Sequence, residues 1–261
     1  MQDRIWAAMH ELAVTAGSGA AHRDAGRCGA VTVSDMGVPH AWAVNAVVGP
    51  LPPTADDLAE SIAWLRTHDQ GAGWLVSVPP SIHDAVAAMA DLAVVDSLPL
   101  FAMPVARSAA LDASALPGVV ISPSSDLEDI VAAYGGWMSD EPLARLLVAP
   151  ADVTDPRRAF LVARLDDAPI GCAFVWWMAG TGYLSGIGLL PQHRGHGVGR
   201  ALTSAAAALA ARGPAGGAAP DVIWMGATEA GASLYARMGF ERVDTEVRLG
   251  PAGHDLWPAS G

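Results

Sequence analysis

The sequence predicts an α+β (mixed α/β) fold in two lobes. Three observations carry that prediction. Short strand-like apolar runs alternate with helical patterns along the chain. "AFLVARL", "DDAP" and "IGCAFVWWM" (159–178) read as a β-hairpin, so pairing is at least partly antiparallel. Finally, "WLVSVPPSIHDAVAAMADLAVVDS" falls without gaps on "VIWMGATEAGASLYARMGFERVDT" when moved along by 148 positions. Strand then lies on strand and helix on helix, with Ala87 opposite Tyr235 and Asp91 opposite Gly239. Both halves are therefore expected to hold related strand–helix–strand units.

The elements follow in order. Residues 1–30 are poorly patterned, and "TAGSGAAHRDAGRCG" reads as a mobile segment. "AVTVS" and "HAWAVNAVV" have strand character. "LPPTADDLAESIAWLRTHDQ" is a helix, with Thr54 as N-cap, acids in the first turn, and Leu58, Ile62 and Leu65 on one face. "GWLVSV" is a strand, "PSIHDAVAAMADL" a helix and "AVVDSLPLFAMPV" a strand. "ARSAALDASALPG" is small and polar enough for a linker. The expected organisation is an N-terminal lobe over 1–106, a linker over 107–117 and a C-terminal domain over 118–261. In the second half "SDLEDIVAAYGGWM" and "EPLARLLVA" read as two helices separated by a Gly-Gly break. After the hairpin come the strand "GYLSGIGLL", a glycine loop, and the helix "VGRALTSAAAALAARG". The strand "VIWMGA", the helix "EAGASLYARM" and the strand "GFERVDTEVRL" complete the chain.

Composition narrows the function. Just over half the residues are apolar and about a sixth are charged, which is a globular composition with ample core. No apolar run reaches the roughly 18–20 residues of a membrane span. "MQDRIWAAMHELAV" carries charges and does not read as a signal peptide. A soluble, cytoplasmic protein without a membrane partner is expected. Cys28 and Cys172 are far apart and in no metal-ligand spacing, so they read as small core residues and no metal is expected. The net charge of −12 argues against nucleic acid, which needs a basic stripe. All 15 basic residues are Arg. Without a lysine there is neither a Schiff base nor a P-loop.

"PQHRGHGVGRAL" (191–202) places Gly195, Gly197 and Gly199 between a strand and a helix. An anion site needs that order, because the first N–H groups of a helix lack intrahelical partners and its dipole is positive there. Arg194 and Arg200 flank the loop and reverse the local sign of an acidic chain. The spacing excludes a dinucleotide fingerprint: from Gly195 the third glycine position holds Arg200, and from Gly197 it holds Leu202. On glycines alone, a ligand loop and a tight turn both stand. In the first half the corresponding stretch, "VVGPLPPTADD", is filled with prolines, which lack the N–H groups of a phosphate cradle.

Arg194, Gly197 and Gly199 after "LLP", followed some forty residues later by Leu234-Tyr235 and Gly239-Phe240, resemble the motifs of the GNAT acyltransferase superfamily. The resemblance covers about residues 118–250. It implies a GNAT-like, mostly antiparallel central sheet flanked by helices. It also implies a smaller, degenerate GNAT-like N-terminal lobe that binds no acyl-CoA. It implies acetyl-CoA as acyl donor, lying between "YLSGIGLL" and "VIWMGA", two strands that splay apart. Gly186 and Gly188 suit a bulged strand there. Backbone groups at Leu189 and Leu190 would meet the pantetheine. Arg194 and the N–H groups of Gly195, His196, Gly197, Val198, Gly199 and Arg200 would hold the pyrophosphate, with His193 nearby. Thr228 stands where many relatives carry a cofactor-contacting Asn.

The resemblance makes Tyr235 the general acid that protonates the leaving thiolate. Read alone, it is a buried tyrosine whose hydroxyl is satisfied elsewhere. Candidates for the base are Ser185, Glu229, Asp126, Glu128, Asp129, Asp140 and Glu141, each also readable as a cap or solvated charge. Trp176 and Trp177 point to opposite faces of their strand, one into core and the other available to line an acceptor site. The implied activity is transfer of acetyl to the amine of a small, cationic acceptor by direct attack in a ternary complex. A peptide or protein N-terminus is an alternative acceptor, a non-catalytic acyl-CoA sensor is an alternative role, and a homodimer is compatible with either.

Overall fold

The computed structural model describes residues 1–17, 24–37, 44–69, 71–111 and 116–252. Residues 40–43 of the expected second strand and 112–115 of the expected linker lie outside these. The first elements are α1 (Gln2–Gly17), β1 (Asp24–Cys28), β2 (Val31–Asp35), β3 (Val44–Val48), α2 (Ala55–His68), β4 (Leu75–Val78), α3 (His83–Ala90) and β5 (Ala93–Pro104). Then come α4 (Val105–Ser108), β6 (Val119–Ser124), α5 (Leu127–Met138), α6 (Glu141–Leu147), α7 (Pro150–Thr154), β7 (Arg158–Leu165) and β8 (Ala168–Met178). The last are β9 (Thr181–Leu189), α8 (Val198–Arg212), β10 (Val222–Gly226), α9 (Glu229–Arg237) and β11 (Glu241–Gly250). No helix among the described residues is long and apolar enough to cross a membrane.

Contacts divide the chain into two compact units, Met1–Leu100 with Val243–Gly261, and Phe101–Arg242. The sequence placed the division at 107–117; the units instead part inside β5 and again inside β11. A polar, small-residue stretch marks a loop, but which sheet a strand joins is decided by pairing and not by the nearest loop.

In the first unit the sheet order is β1-β2-β3-β4-β11. β3 and β4 are parallel; β1–β2, β2–β3 and β4–β11 are antiparallel. Alternation puts Val31, Val33, Val76, Val78 and Leu249 on one face, against Leu58, Ile62 and Leu65 of α2 and Val86 of α3. The other face is mixed, with Val47 and Leu75 buried on it beside a set of polar contacts. His10 of α1 bonds Thr32 at 2.8 Å, the Trp6 indole donates to Asp244 at 2.8 Å, and the Ser77 hydroxyl donates to Glu246 at 2.6 Å. Burial pushes the Glu246 carboxyl up, but the Arg248 guanidinium and the Ser77 hydroxyl outweigh it and hold the group below the usual range.

In the second unit the order is β5-β10-β9-β8-β7-β6, with β9 and β10 parallel and β6 through β9 antiparallel. Val175, Trp177 and Leu184 face Leu202, Ala206 and Ala210 of α8. Alanines let α8 lie close: the Trp177 indole donates to the Ala210 carbonyl at 2.8 Å. Phe174 faces the other way, edge-on to Tyr134 of α5 at 4.8 Å. The mixed, mostly antiparallel architecture is the expected one.

Several local expectations need correction. Residues 18–23 of the expected mobile segment lie outside the described residues; the rest of 1–30 is not unpatterned, since α1 buries Ile5, Trp6, Met9 and Ala13 along one face and β1 pairs with β2. β6 was absent from the sequence reading because it carries Pro123 and two serines, which an edge strand tolerates. Gly135 and Gly136 do not break a helix but lie inside α5, which ends at Ser139 in the left-handed region (φ 59°). A Cβ at either would collide, with Glu141 or with Leu190, so both are close-approach positions. The expected repeat is present: β4-α3-β5 and β10-α9-β11 follow the same order. Asp91 and Gly239, its counterpart, are both left-handed, at φ 52° and 88°.

Candidate functional site

The second unit holds a fork in its sheet. β9 and β10 pair over three residues only, Thr181–Val222, Gly182–Ile223 and Tyr183–Trp224. Beyond Tyr183 they part. β9 bends there because it carries one extra residue opposite β8, between Ser185 and Gly188, where Gly186 adopts φ 56°. A Cβ on Gly186 would press on the Phe174 ring at 2.8 Å, so glycine is needed twice over.

Backbone alternation decides what faces the gap. Leu190 N–H donates to the Ile170 carbonyl at 2.9 Å, and Leu190 C=O accepts from His193 N–H at 2.9 Å. Leu190 is thus committed to the protein, contrary to its expected role. Its neighbour Leu189, a non-hydrogen-bonded partner of Gly171, turns its N–H and C=O away from β8 and toward the gap. The Leu189 carbonyl accepts from Arg194 Nε at 3.1 Å, so Arg194 folds back to brace the strand end.

The glycine loop follows. Pro191–His193 forms a 3₁₀ turn, and Gly195 and Gly197 take φ 81° and 84°. Gly197 is the N-cap of α8 and offers no side-chain cap. The first intrahelical bond runs from Ala201 N–H to Gly197 C=O, which leaves the N–H groups of Val198, Gly199 and Arg200 without a helical acceptor. Gly195, His196, Gly197 and Arg200 are exposed. The corresponding helix of the first unit, α2, is closed: Thr54 accepts from Asp57 N–H at 3.1 Å and Asp57 accepts from Thr54 N–H at 3.2 Å. His193 and His196, with Gln192, border a cleft of about 360 Å³ floored by Val119, Leu165 and Ile170.

Across the fork, Thr228 caps α9 by accepting from Gly231 N–H at 3.3 Å. Tyr235 leans back over that first turn, where a Cβ on residue 231 would meet its ring at 2.9 Å. Phe101 and Phe240 stand edge-on to it at 6.4 and 6.3 Å. The hydroxyl makes no hydrogen bond among the described residues, unlike a core tyrosine satisfied elsewhere. Burial pushes the phenol up to about 12, which keeps it protonated.

Five of the six carboxylate candidates for the base are engaged elsewhere. Asp126 and Asp140 cap α5 and α6. Glu128 and Glu141 pair with Arg145, and Asp129 with Arg164. The Arg145 hydrogen bond and charge hold the Glu128 carboxyl below its ordinary range, weakening it as a base. Glu229 is exposed at the start of α9, and Ser185 is half-buried next to the bulge. Trp177 is core, while Trp176 is half-buried under the Arg158 guanidinium at 3.8 Å. Sequence reasoning missed Tyr183, which stands opposite Trp176. The two-residue turn Ala179-Gly180, both with positive φ, was the signal that sets that register.

Residues 156–242 match the acetyltransferase (GNAT) domain family. No curated sequence matches the chain directly. Solved structures do. A GCN5-related N-acetyltransferase from Kribbella flavida is 20% identical with a TM-score of 0.70, over 97% of this chain and 96% of that one. A tandem GNAT protein from the clavulanic acid biosynthesis pathway is 17% identical with a TM-score of 0.61, over 88% and 79%. A GCN5-related N-acetyltransferase from Sphaerobacter thermophilus is 15% identical with a TM-score of 0.58, over 85% and 76%. These three likenesses concern the fold. Residues 156–242 form a GNAT-type acetyltransferase domain.

Proposed function

We propose that the protein transfers acetyl from acetyl-CoA to the amine of a small molecule, with the chemistry in the second unit. The observation that carries this is the fork between β9 and β10, which opens beside a helix N-terminus whose cap is glycine. A thioester arm can extend along the free edge of β9 and bond the Leu189 N–H. The pyrophosphate then meets the N–H groups from Gly195 to Arg200, which need no side chain to reach it. Thr228 keeps one hydroxyl hydrogen to donate at the mouth.

The amine nitrogen attacks the thioester carbonyl, forming the C–N bond, and the C–S bond then breaks. The sulfur leaves with its electron pair and takes a proton from the Tyr235 hydroxyl. The ammonium proton passes to water, and Tyr235 is reprotonated from solvent. No engaged carboxylate is needed as a base if the amine enters neutral. The first unit binds no acyl-CoA on this reading, because the N–H groups at the start of α2 are capped and acidic residues follow them. Incubation of the protein with acetyl-CoA and an amine panel, with thiol release as readout, tests the proposal. Tight acetyl-CoA binding with no amine-dependent release would leave a sensor as the better reading.

A further inference from the structure

One transverse row of the second unit's sheet is aromatic. Arg158 of β7 pairs with Trp176 of β8, Trp176 with Tyr183 of β9, and Tyr183 with Trp224 of β10. Residues directly opposite on neighbouring strands project from the same face. The guanidinium of Arg158 lies 3.8 Å from the Trp176 ring centre, and Tyr183 stacks on Trp224 with centroids 4.3 Å apart. Trp224 is buried and its indole is held by Thr181 at 2.9 Å; Arg158 is buried in an ion pair with Asp152. The two middle members, Trp176 and Tyr183, are half-buried. They present ring surface on the face opposite α8.

This row is the last rung before the fork opens. The next rung on the same face carries Phe174 and Ser185, and Tyr134 and Trp137 of α5 stack beside it with centroids 5.4 Å apart. Trp137 lies flat against the strand because residue 188 is glycine. The reacting end of the fork therefore has an aromatic floor and an aromatic wall.

Charge points the same way. On the elements packed over this face, α5 to α7, every carboxylate from Asp126 to Asp155 is a helix cap or the partner of an arginine. A polycation would find these carboxylates already hydrogen-bonded to helix N-termini or to arginines, although four of them, Asp126, Glu128, Asp140 and Glu141, are exposed. An apolar floor favours the neutral form of an amine, which is the form that attacks.

We propose that the acceptor is a primary amine carried on an aromatic ring by a short alkyl chain, its ring against Trp176 and Tyr183 and its nitrogen toward the fork. The proposal rests on the acetyl-transfer reading above and names the substrate class for that site. It departs from the cationic acceptor that net charge suggested.

Two measurements test it. Thiol release with acetyl-CoA is compared for 2-phenylethylamine and tyramine against spermidine and glucosamine. The aryl amines should give the larger kcat/KM, by about tenfold or more. Trp176→Ala should raise the 2-phenylethylamine KM about tenfold, Trp176→Phe should restore most of it, and the acetyl-CoA KM should stay as a check on folding. Independently, 2-phenylethylamine added to the CoA-bound protein should shift tryptophan fluorescence, less so in Trp176→Phe. Preferred turnover of spermidine or glucosamine overturns the aryl proposal and leaves acetyl transfer standing. A fluorescence shift without any thiol release does the reverse. Neither signal with any amine overturns both.

Discussion

Replacing Tyr235 by Phe removes one hydroxyl and keeps the ring that Phe101 and Phe240 pack against. The hydroxyl has no protein partner among the described residues, so folding stability should change by less than about 1 kcal/mol. Its loss should be felt in the chemical step. A positioned acid contributes about 10²–10⁴-fold, and a thiolate is a fair leaving group, so the low end applies: kcat should fall about 100-fold, or about 2.7 kcal/mol. The acetyl-CoA KM should hardly move, since the thioester arm is held by backbone. The pH profile adds a second readout. Burial raises the phenol to about 12, so the acid stays protonated well above the ordinary tyrosine value of about 10. Single-turnover rates should therefore show no descending limb near pH 10 in the native protein. The same shift stabilises the fold fully below the unfolded value of about 10, and that contribution is lost as pH rises through about 12. A Phe variant with kcat within about threefold of the native protein, at unchanged melting temperature, would refute the assignment of Tyr235 as the acid.

Three other changes separate the parts of the structure. Gly197→Val forces a branched residue to φ 84° at the start of α8; it should cost about 1–2 kcal/mol and weaken CoA binding by calorimetry at least about tenfold. Gly216→Val, strained alike at φ 74° in open surroundings, should cost similar stability and leave CoA affinity unchanged. Asp152→Asn leaves the buried Arg158 without its main counter-charge and should lower urea stability by about 3 kcal/mol. Thr54→Ala opens the cap of α2 and should cost about 1 kcal/mol, with acetyl-CoA kinetics as before.

Much of the site was legible because its signals are local. Gly195 and Gly197 are glycines where the backbone turns left-handed, and the strand before them and the helix after them both form. Gly186 marks the bulge, and Thr54 with Asp57 spells out a closed helix entry in the other unit. The carboxylates misled, because a carboxylate's job depends on which arginine reaches it. Arg145 and Arg164 lie 17 and 35 residues from Glu128 and Asp129. Leu190 misled for a similar reason: its amide direction follows from a register with Ile170 that alternation alone cannot supply.

By itself the sequence determined the repeated strand–helix–strand order and the open and closed helix entries. These depend on φ preferences, caps and periodicities within a few residues. Only the tertiary structure decided that β11 lies beside β4 and that β5 ends beside β10, so that each unit is completed by a strand remote in sequence. Only there do Trp176, Tyr183 and Trp224 fall into one row. A strand's pattern tells which face is buried. It does not name the neighbour, because apolar strands of similar length present the same row of N–H and C=O groups, and the packing of the whole sheet chooses among them.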